Sequence, residues 1–419
     1  MSDVANLYRP AFWSNPRQVH QLFSAMRRDK PIYRCSSQGY PDLWHVTRHA
    51  DVMAIENAPE IFLSAPRMRI KALALEDAVR EITGGRPYMT HSLNVMDAAE
   101  HQAMRAVVQQ HFTAVRIKQL KSRVVKEAQT SLSEMREAGG GLDFAAQIAF
   151  QYPLRVMMPL LGVPKADYQF ILKLTKQLFS PGDPDNKRPG VDLHTNPAQA
   201  TQAIHQDFHD YFRNLLHERQ KNPRSDLMSE IIAAVPRVAC MDDDMAIHYC
   251  VLLATAGHDT TSYSLSEAIY HLAKKSVLLA CLADDLERVP AKLAEEAFRL
   301  AAPTRHFIRT ASQDITLSGM RFLAGDSIVL WFPSACRDEL VCSDPDELNI
   351  DRSYKVPQSA FGSGPHVCLG MHLARLELAC FLEEFGKQIQ SVELAADPSY
   401  TESNFVGGIK SLPLHCSYR

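Results

Sequence analysis

Phe361-Gly362-Ser363-Gly364-Pro365-His366-Val367-Cys368-Leu369-Gly370 runs straight into an apolar-periodic stretch that predicts a helix over Met371–Ile389. Glycines on both sides of the cysteine remove side chains, so the backbone can fold tightly against a large flat object. Cys368 stands just before a helix N-terminus, where the dipole and free backbone N–H groups favour thiolate over thiol. A lone cysteine is more often a small buried hydrophobe. That reading suits the others, Cys35, Cys240, Cys250, Cys281, Cys336, Cys342, Cys380 and Cys416. They are scattered and contain no C-x-x-C pair, which argues against a zinc site or a dithiol redox motif.

The pattern F-G-x-G-x-H-x-C-x-G fixes six positions in ten, and a thiolate presented this way is an axial ligand for haem iron. Covalent c-type attachment is not indicated, because Cys368 to His372 reads C-x-x-x-H rather than C-x-x-C-H. The segment resembles the haem-binding loop of the cytochrome P450 family. That resemblance implies a mainly α protein with a small β subdomain, in the family's triangular fold. Haem b (iron protoporphyrin IX) would lie between a long central helix and the helix after the cysteine loop. Cys368 is then the axial ligand, with Phe361, Gly362, His366 and Gly370 around the cofactor.

The 419 residues, 46% hydrophobic and 22% charged with a net charge of -3, have ordinary globular composition. Near-neutral charge argues against nucleic acid as a partner. No run is apolar for long enough to span a membrane, and the first residues lack the pattern of a signal peptide. Unpaired cysteines point to a reducing compartment, so a cytoplasmic protein is expected. No linker or repeat divides the chain, and one domain over 1–419 is expected. Its β-rich part would come from roughly 31–64, 304–330 and 391–419, and its helical part from roughly 97–302 and 369–389.

Leu43–Val46 reads as a strand and His49–Asn57 as a short helix. Helical spacing recurs over Glu100–Phe112, Arg116–Glu137, Phe144–Leu161 and Ala198–Lys221. Ser180-Pro181-Gly182-Asp183-Pro184-Asp185 interrupts it and begins a long, lid-like connection to Pro197. Met245–Lys275 predicts one long helix headed by Asp242, Asp243 and Asp244. Helices over Pro290–Ala301 and Met371–Ile389 follow, with short strands over Phe307–Thr310, Ile315–Leu317 and Ser327–Leu330 between them, turning at Gly319 and Gly325.

Inside the long helix, Ala256-Gly257-His258-Asp259-Thr260-Thr261 is a poor helix sequence. Threonine hydroxyls can take backbone carbonyls and open the helix, leaving room for dioxygen and water. A hydroxyl and a carboxylate near a water path suit proton delivery. The motif resembles the family's A-G-x-D-T-T oxygen-binding groove. By that resemblance Ala256 and Gly257 line the cofactor, Thr260 supports oxygen activation and Asp259 relays protons from solvent. His258 occupies the variable position, where a helix-packing or solvent-contacting role is expected rather than catalysis.

Glu296 and Arg299 share a helix face at i, i+3 and match the family's structural E-x-x-R pair. The usual third partner is an arginine in a downstream P-D-R-F-like segment. Here that segment reads Pro345-Asp346-Glu347-Leu348, so Arg352 is the candidate. Haem propionates need cationic or hydrogen-bonding partners. Asp97-Ala98-Ala99-Glu100-His101-Gln102-Ala103-Met104-Arg105 resembles D-P-P-E-H-x-x-x-R, which implies His101 and Arg105, while Arg309 and His366 match further propionate positions.

Thr255–Ser262, Phe332-Pro333-Ser334-Ala335 and Asn404-Phe405-Val406-Gly407-Gly408 resemble the family's bacterial α-terpineol hydroxylase group. This implies a small apolar substrate, terpenoid or alkyl-substituted aromatic, walled by Leu252, Thr255, Ala256, Phe307 and Phe405. Fatty acids or steroids are the alternative substrates, and a peroxide-driven peroxygenase the alternative chemistry. Against the latter stands the Asp259–Thr260 pair. A haem-binding redox or gas sensor would need an output domain or a blocking sixth ligand, and neither is evident. No G-x-G-x-x-G joins a strand to a helix, so electrons are expected from a ferredoxin with an NAD(P)H-dependent ferredoxin reductase. Lys118, Lys121, Arg123 and Lys126 form a basic stretch that reads either as a solvated helix face or as a patch steering an acidic ferredoxin. A monomer using O2 is expected.

Overall fold

The structure of the chain, a computed structural model, describes residues 3–139, 141–188, 197–353 and 356–419. At the head of the central helical run the Asp242 carboxylate accepts the Met245 N–H at 2.7 Å, and Asp243 and Asp244 fill the first turn. Acidic groups there satisfy free N–H groups and the dipole. The run does not continue unbroken to Lys275. It forms two helices, Asp243–Ala256 and Asp259–Lys274, parted at Gly257 and His258. The hydroxyls of Thr255, Thr260, Ser262, Ser264 and Ser266 each donate to the carbonyl four residues back. Such back-bonding bends a helix. A Cβ at Gly257 would stand 2.6 Å from the Leu253 carbonyl oxygen and 2.7 Å from Met157 Cγ, so only glycine fits at the break.

Two other helical expectations need correction. Phe144–Leu161 is a π-type turn over Ala145–Ala149 followed by a helix over Tyr152–Leu161, with Pro153 in its first turn where no N–H donor is needed. The stretch from Arg116 divides into Ala114–Lys118 and Lys121–Glu137. Further helices over Leu73–Thr83, Tyr168–Phe179, Leu227–Ala234 and Ser276–Asp284 join the set. Helices Pro197–Lys221, Val289–Ala301 and Met371–Gln388 stand close to their expected bounds. The connection after Ser180 is tied down at its start, where buried Asp183 takes Lys410 at 2.8 Å and the Glu402 N–H at 2.8 Å. Its middle, residues 189–196, lies outside the described residues.

Five strands make the main sheet in the order Ile32–Cys35, Leu43–Val46, Ser327–Trp331, His306–Ala311, Phe62–Leu63. Leu43–Val46 pairs parallel with Ser327–Trp331, Trp44 opposite Ile328, so the chain between them, which includes most of the helical part, forms the crossover. At the centre His45 Nδ1 accepts the Trp331 indole N–H at 2.9 Å. Nε2 then carries the proton and donates to the Tyr8 hydroxyl oxygen at 2.8 Å. The C-terminal strands do not join this sheet. Ile389–Leu394 and Pro413–Tyr418 pair with Gly141–Asp143 in a sheet of three, so the β-rich part is in several pieces.

Candidate active site

Between the broken helix and the cysteine loop lies a cavity whose two faces are the two motifs. Ala256, Gly257 and Thr260 line one face; Phe361, Gly362, Cys368 and Gly370 line the other. The loop keeps its shape through backbone bonds, the Cys368 N–H donating to the Phe361 carbonyl at 2.8 Å. Gly362 and Gly364 have φ of 68° and 62°, a region that side chains disfavour. Phe361 packs on Phe298 with ring centroids 4.8 Å apart. Arg375 lies over the Phe361 ring at 4.8 Å and binds Glu295 at 2.6 Å, joining the cysteine-loop helix to the helix of Glu296 and Arg299.

Cys368 is exposed by surface area because its sulfur faces the cavity, although it lies deep in the protein. Burial pushes its thiol up; the Gly370 N–H, Arg105 and Arg375 pull the other way without winning. A coordinated metal cation deprotonates a thiol outright.

Across the cavity Thr260 and Asp259 face different ways. Thr260 lines the cavity, its hydroxyl donating weakly to the Ala256 carbonyl at 3.3 Å. Asp259 lies behind it, 1% exposed, with Oδ1 unpartnered. Burial pushes its carboxyl up to about 7, opposed by the charge of Lys176, whose ammonium sits 4.0 Å over the Phe150 ring. A carboxyl titrating near neutrality is poised to take and give a proton. His258 is fully buried, donates from Nδ1 to the Ala254 carbonyl at 2.7 Å, and is held neutral by burial.

Raising Asp259 above its unfolded value near 3.9 has a cost with a definite sign. The folded chain binds the proton more tightly, so its stability falls as pH rises between the two values. Asp259→Asn removes that titration. The variant is expected to gain on the parent from about pH 4 to about pH 7, by at most about 1.4 kcal/mol per unit, and to hold its lead above. Denaturant titrations near pH 5 and pH 8 check this; a lead that does not change with pH would contradict it.

At one edge of the cavity stand His101, Arg105, Arg309 and His366. Arg105 donates to the Val367 carbonyl at 2.7 Å. The rings of His101 and His366 pack 4.0 Å apart, both held neutral chiefly by burial. His101 Nε2 is buried without a partner. A flat group carrying iron and two carboxylates fits this lining. Sulfur stands on one face, two nearly side-chain-free positions on the other, and cations with an orphaned ring nitrogen at the edge. Asp97, quoted only as part of a motif, accepts the Ser64 and Ala65 N–H groups at 2.8 and 3.1 Å and fixes the segment beside His366.

The structural pair is closed by Arg352. Glu296 binds Arg299 at 2.8 Å and Arg352 at 3.0 Å and accepts the Asn349 N–H at 2.9 Å. Arg299 also donates to the carbonyls of Pro345 and Glu347 at 2.5 and 2.9 Å. The side chain of Glu347 turns outward to Lys275.

Of the expected substrate walls, Leu252 and Phe307 line the cavity. Thr255 does not; its hydroxyl donates to the Val251 carbonyl at 2.8 Å. Phe405 stands one layer back, against Phe307 at 5.8 Å and Phe179 at 6.1 Å. Leu93, Glu56 and Glu377 are among the lining side chains that went unnoticed in the sequence. Both Glu377 carboxyl oxygens are buried without partners, and burial pushes the group well up.

Comparison with known proteins agrees with this geometry. The cytochrome P450 family model matches residues 71–388. The chain is 36% identical to Cytochrome P450-terp of a Pseudomonas species, over 97% of the chain and 95% of that relative. It is 29% identical to a methyl-branched lipid omega-hydroxylase of Mycobacterium tuberculosis, over 96% and 92%. Among solved structures, CYP108D1 from Novosphingobium aromaticivorans superposes with a TM-score of 0.90 at 32% identity, covering 100% of this chain and 99% of that one. CYP268A2 of Mycobacterium marinum, crystallised with pseudoionone, gives 0.86 at 30%, covering 97% of each chain.

Proposed function

Because this chain belongs to the cytochrome P450 family of monooxygenases, whose cofactor is haem b, we propose that it inserts one atom of O2 into a C–H bond of a compact apolar substrate, terpenoid or alkyl-substituted aromatic. The reading is carried by one observation: at a break in the central helix Thr260 faces Cys368 across one cavity, with the carboxyl of Asp259 buried behind it. Bound there, the haem supplies the dioxygen and one-electron chemistry.

Cys368 would hold the iron through its sulfur, with Phe361 and Gly370 closing the loop around it. His101, Arg105, Arg309 and His366 would hold the propionates through charge and N–H donation. Thr260 presents its hydroxyl to the cavity and passes a proton inward. Asp259 replenishes that proton from the side of Lys176, which also sees Asp183 and Asp185. Leu252, Leu93 and Phe307 exclude water and favour an apolar ligand. Resemblance to Cytochrome P450-terp and to a structure holding pseudoionone, an isoprenoid ketone, supports a terpenoid.

Electrons come from a ferredoxin and its NAD(P)H-dependent reductase in the cytoplasm, and the enzyme acts as a monomer. Lys118, Lys121 and Lys126 are exposed on helices that pack against the cysteine-loop helix. This is where charge would steer an acidic carrier toward the sulfur side. Among the described residues no helix is long and apolar enough to cross a membrane.

A screen of terpenes, alkylbenzenes, fatty acids and steroids for the low-to-high-spin optical shift identifies ligands. Turnover with ferredoxin, reductase and NADH then tests the reaction. Thr260→Ala should leave the spin shift intact while peroxide replaces product, and Asp259→Asn should slow turnover by about 10²-fold. Turnover with hydrogen peroxide but none with the electron chain would overturn the reading.

A further inference from the structure

The propionate edge holds a carboxyl group that the mechanism above leaves unused. Glu56 ends the helix His49–Glu56, is 5% exposed and lines the cavity. Its Oε1 lies 3.8 Å from Arg309 Nη2, and its Oε2 is buried with no partner. The side chain has little room to leave. The Ser363 backbone N–H lies near enough to favour its charged form, and the loop glycines close over it. A Cβ at Gly362 would stand 3.2 Å from Oε1, and one at Gly364 2.3 Å from the Glu56 carbonyl oxygen. Two of the glycines in the cysteine loop therefore make room for Glu56.

A carboxylate at this place would repel any propionate drawn to Arg309, and two carboxylates sharing a desolvated site keep a proton between them. We propose that Glu56 is a positioning residue: its carboxyl stays protonated and donates from Oε2 to a haem propionate, and Arg309 is shared between the two. The inference rests on the propionate assignment made above. Burial alone already lifts Glu56 to about 7 against the pull of Arg309 and the Ser363 N–H, and a propionate would lift it further. At alkaline pH the proton passes to solvent and leaves a negative charge beside the haem, which disfavours the ferrous state.

The other ionisable groups at this edge do not supply that step. Arg309 and Arg105 stay cationic through this range. His101 and His366 are already neutral, and Asp97 is tied to the N–H groups of Ser64 and Ala65. On its own helix, Asp51 accepts the Ser318 hydroxyl and His49 bonds the Pro357 carbonyl.

The test uses purified holoenzyme. The reduction potential is measured from about pH 6 to pH 10 for the parent and Glu56→Gln, and haem loss to apomyoglobin is timed for both and for Glu56→Leu. In the parent, the ferrous-to-ferric ratio at fixed applied potential should fall on the order of tenfold across this range, the effect of one charge roughly 10 Å away at an effective dielectric near 20. Glu56→Gln should flatten that fall and retain haem like the parent, because its amide still donates. Glu56→Leu should lose haem about tenfold faster, as expected for one lost charge-assisted hydrogen bond. Superimposable pH curves for the parent and Glu56→Gln would overturn the proposal, whether or not Glu56→Leu folds. If Arg309→Leu speeds haem loss while the Glu56 variants match the parent, the propionate assignment stands and the Glu56 proposal alone falls.

Discussion

Cys368→Ser should yield a folded, haem-containing protein that makes no oxygenated product from any ligand that shifts the parent's spin state. The loop does not depend on the sulfur for its shape. Its bonds run through the backbone, from the Cys368 N–H to the Phe361 carbonyl and from Val367 to Gly364. Serine preserves volume and leaves the propionate partners untouched, so cofactor binding should survive. What disappears is electron donation from an anionic sulfur, which favours O–O cleavage. The reduction potential should rise as well, because the anionic ligand stabilises ferric iron. Retained product formation with electrons from NADH would show that the sulfur is not the ligand.

Glu296→Ala should cost about 3–5 kcal/mol, the range for breaking a buried ion pair by removing one partner. Glu296 is 1% exposed and faces two guanidiniums, Arg299 and Arg352, besides the Asn349 N–H. Arg299 is itself 2% exposed. The substitution strands positive charge in the interior, where an unpaired ion is expensive. The damage should reach the cofactor, because the adjacent Glu295 holds Arg375 on the cysteine-loop helix and binds Gln358 just before the loop. Denaturant unfolding and the haem-to-protein ratio measure both effects. A loss below about 1 kcal/mol, the size of an exposed pair, would show that the network carries little.

The cysteine loop and the acid–alcohol pair were legible because their chemistry needs consecutive residues, so the pattern survives in one dimension. The break in the central helix was legible as a weakness, and its hydroxyl back-bonds account for it. Arg352 could be singled out only as a candidate, since Pro345 and Glu347 contribute backbone carbonyls that no side-chain pattern announces. Glu56 was invisible. It is a lone glutamate ending a short helix, and its partners come from a strand and a loop far along the chain.

Thr255 could not be set aside from helix spacing, because it stands at i+3 from Leu252, a same-face position; its hydroxyl bond to the Val251 carbonyl is visible only in the structure. Ser276–Asp284 escaped notice because its Val277-Leu278-Leu279-Ala280-Cys281-Leu282 run is apolar with no helical alternation to read. The pairing of the C-terminal strands with Gly141–Asp143 spans some 270 residues, a separation that local pattern does not encode.

One measurement reaches the centre of this account: the optical spectrum of the ferrous carbonyl complex of the purified enzyme, beside that of Cys368→Ser. Thiolate ligation by Cys368 predicts the red-shifted Soret band in the parent and its replacement by a shorter-wavelength band in the variant. A parent lacking the red-shifted band, or a variant that keeps it, would contradict the account.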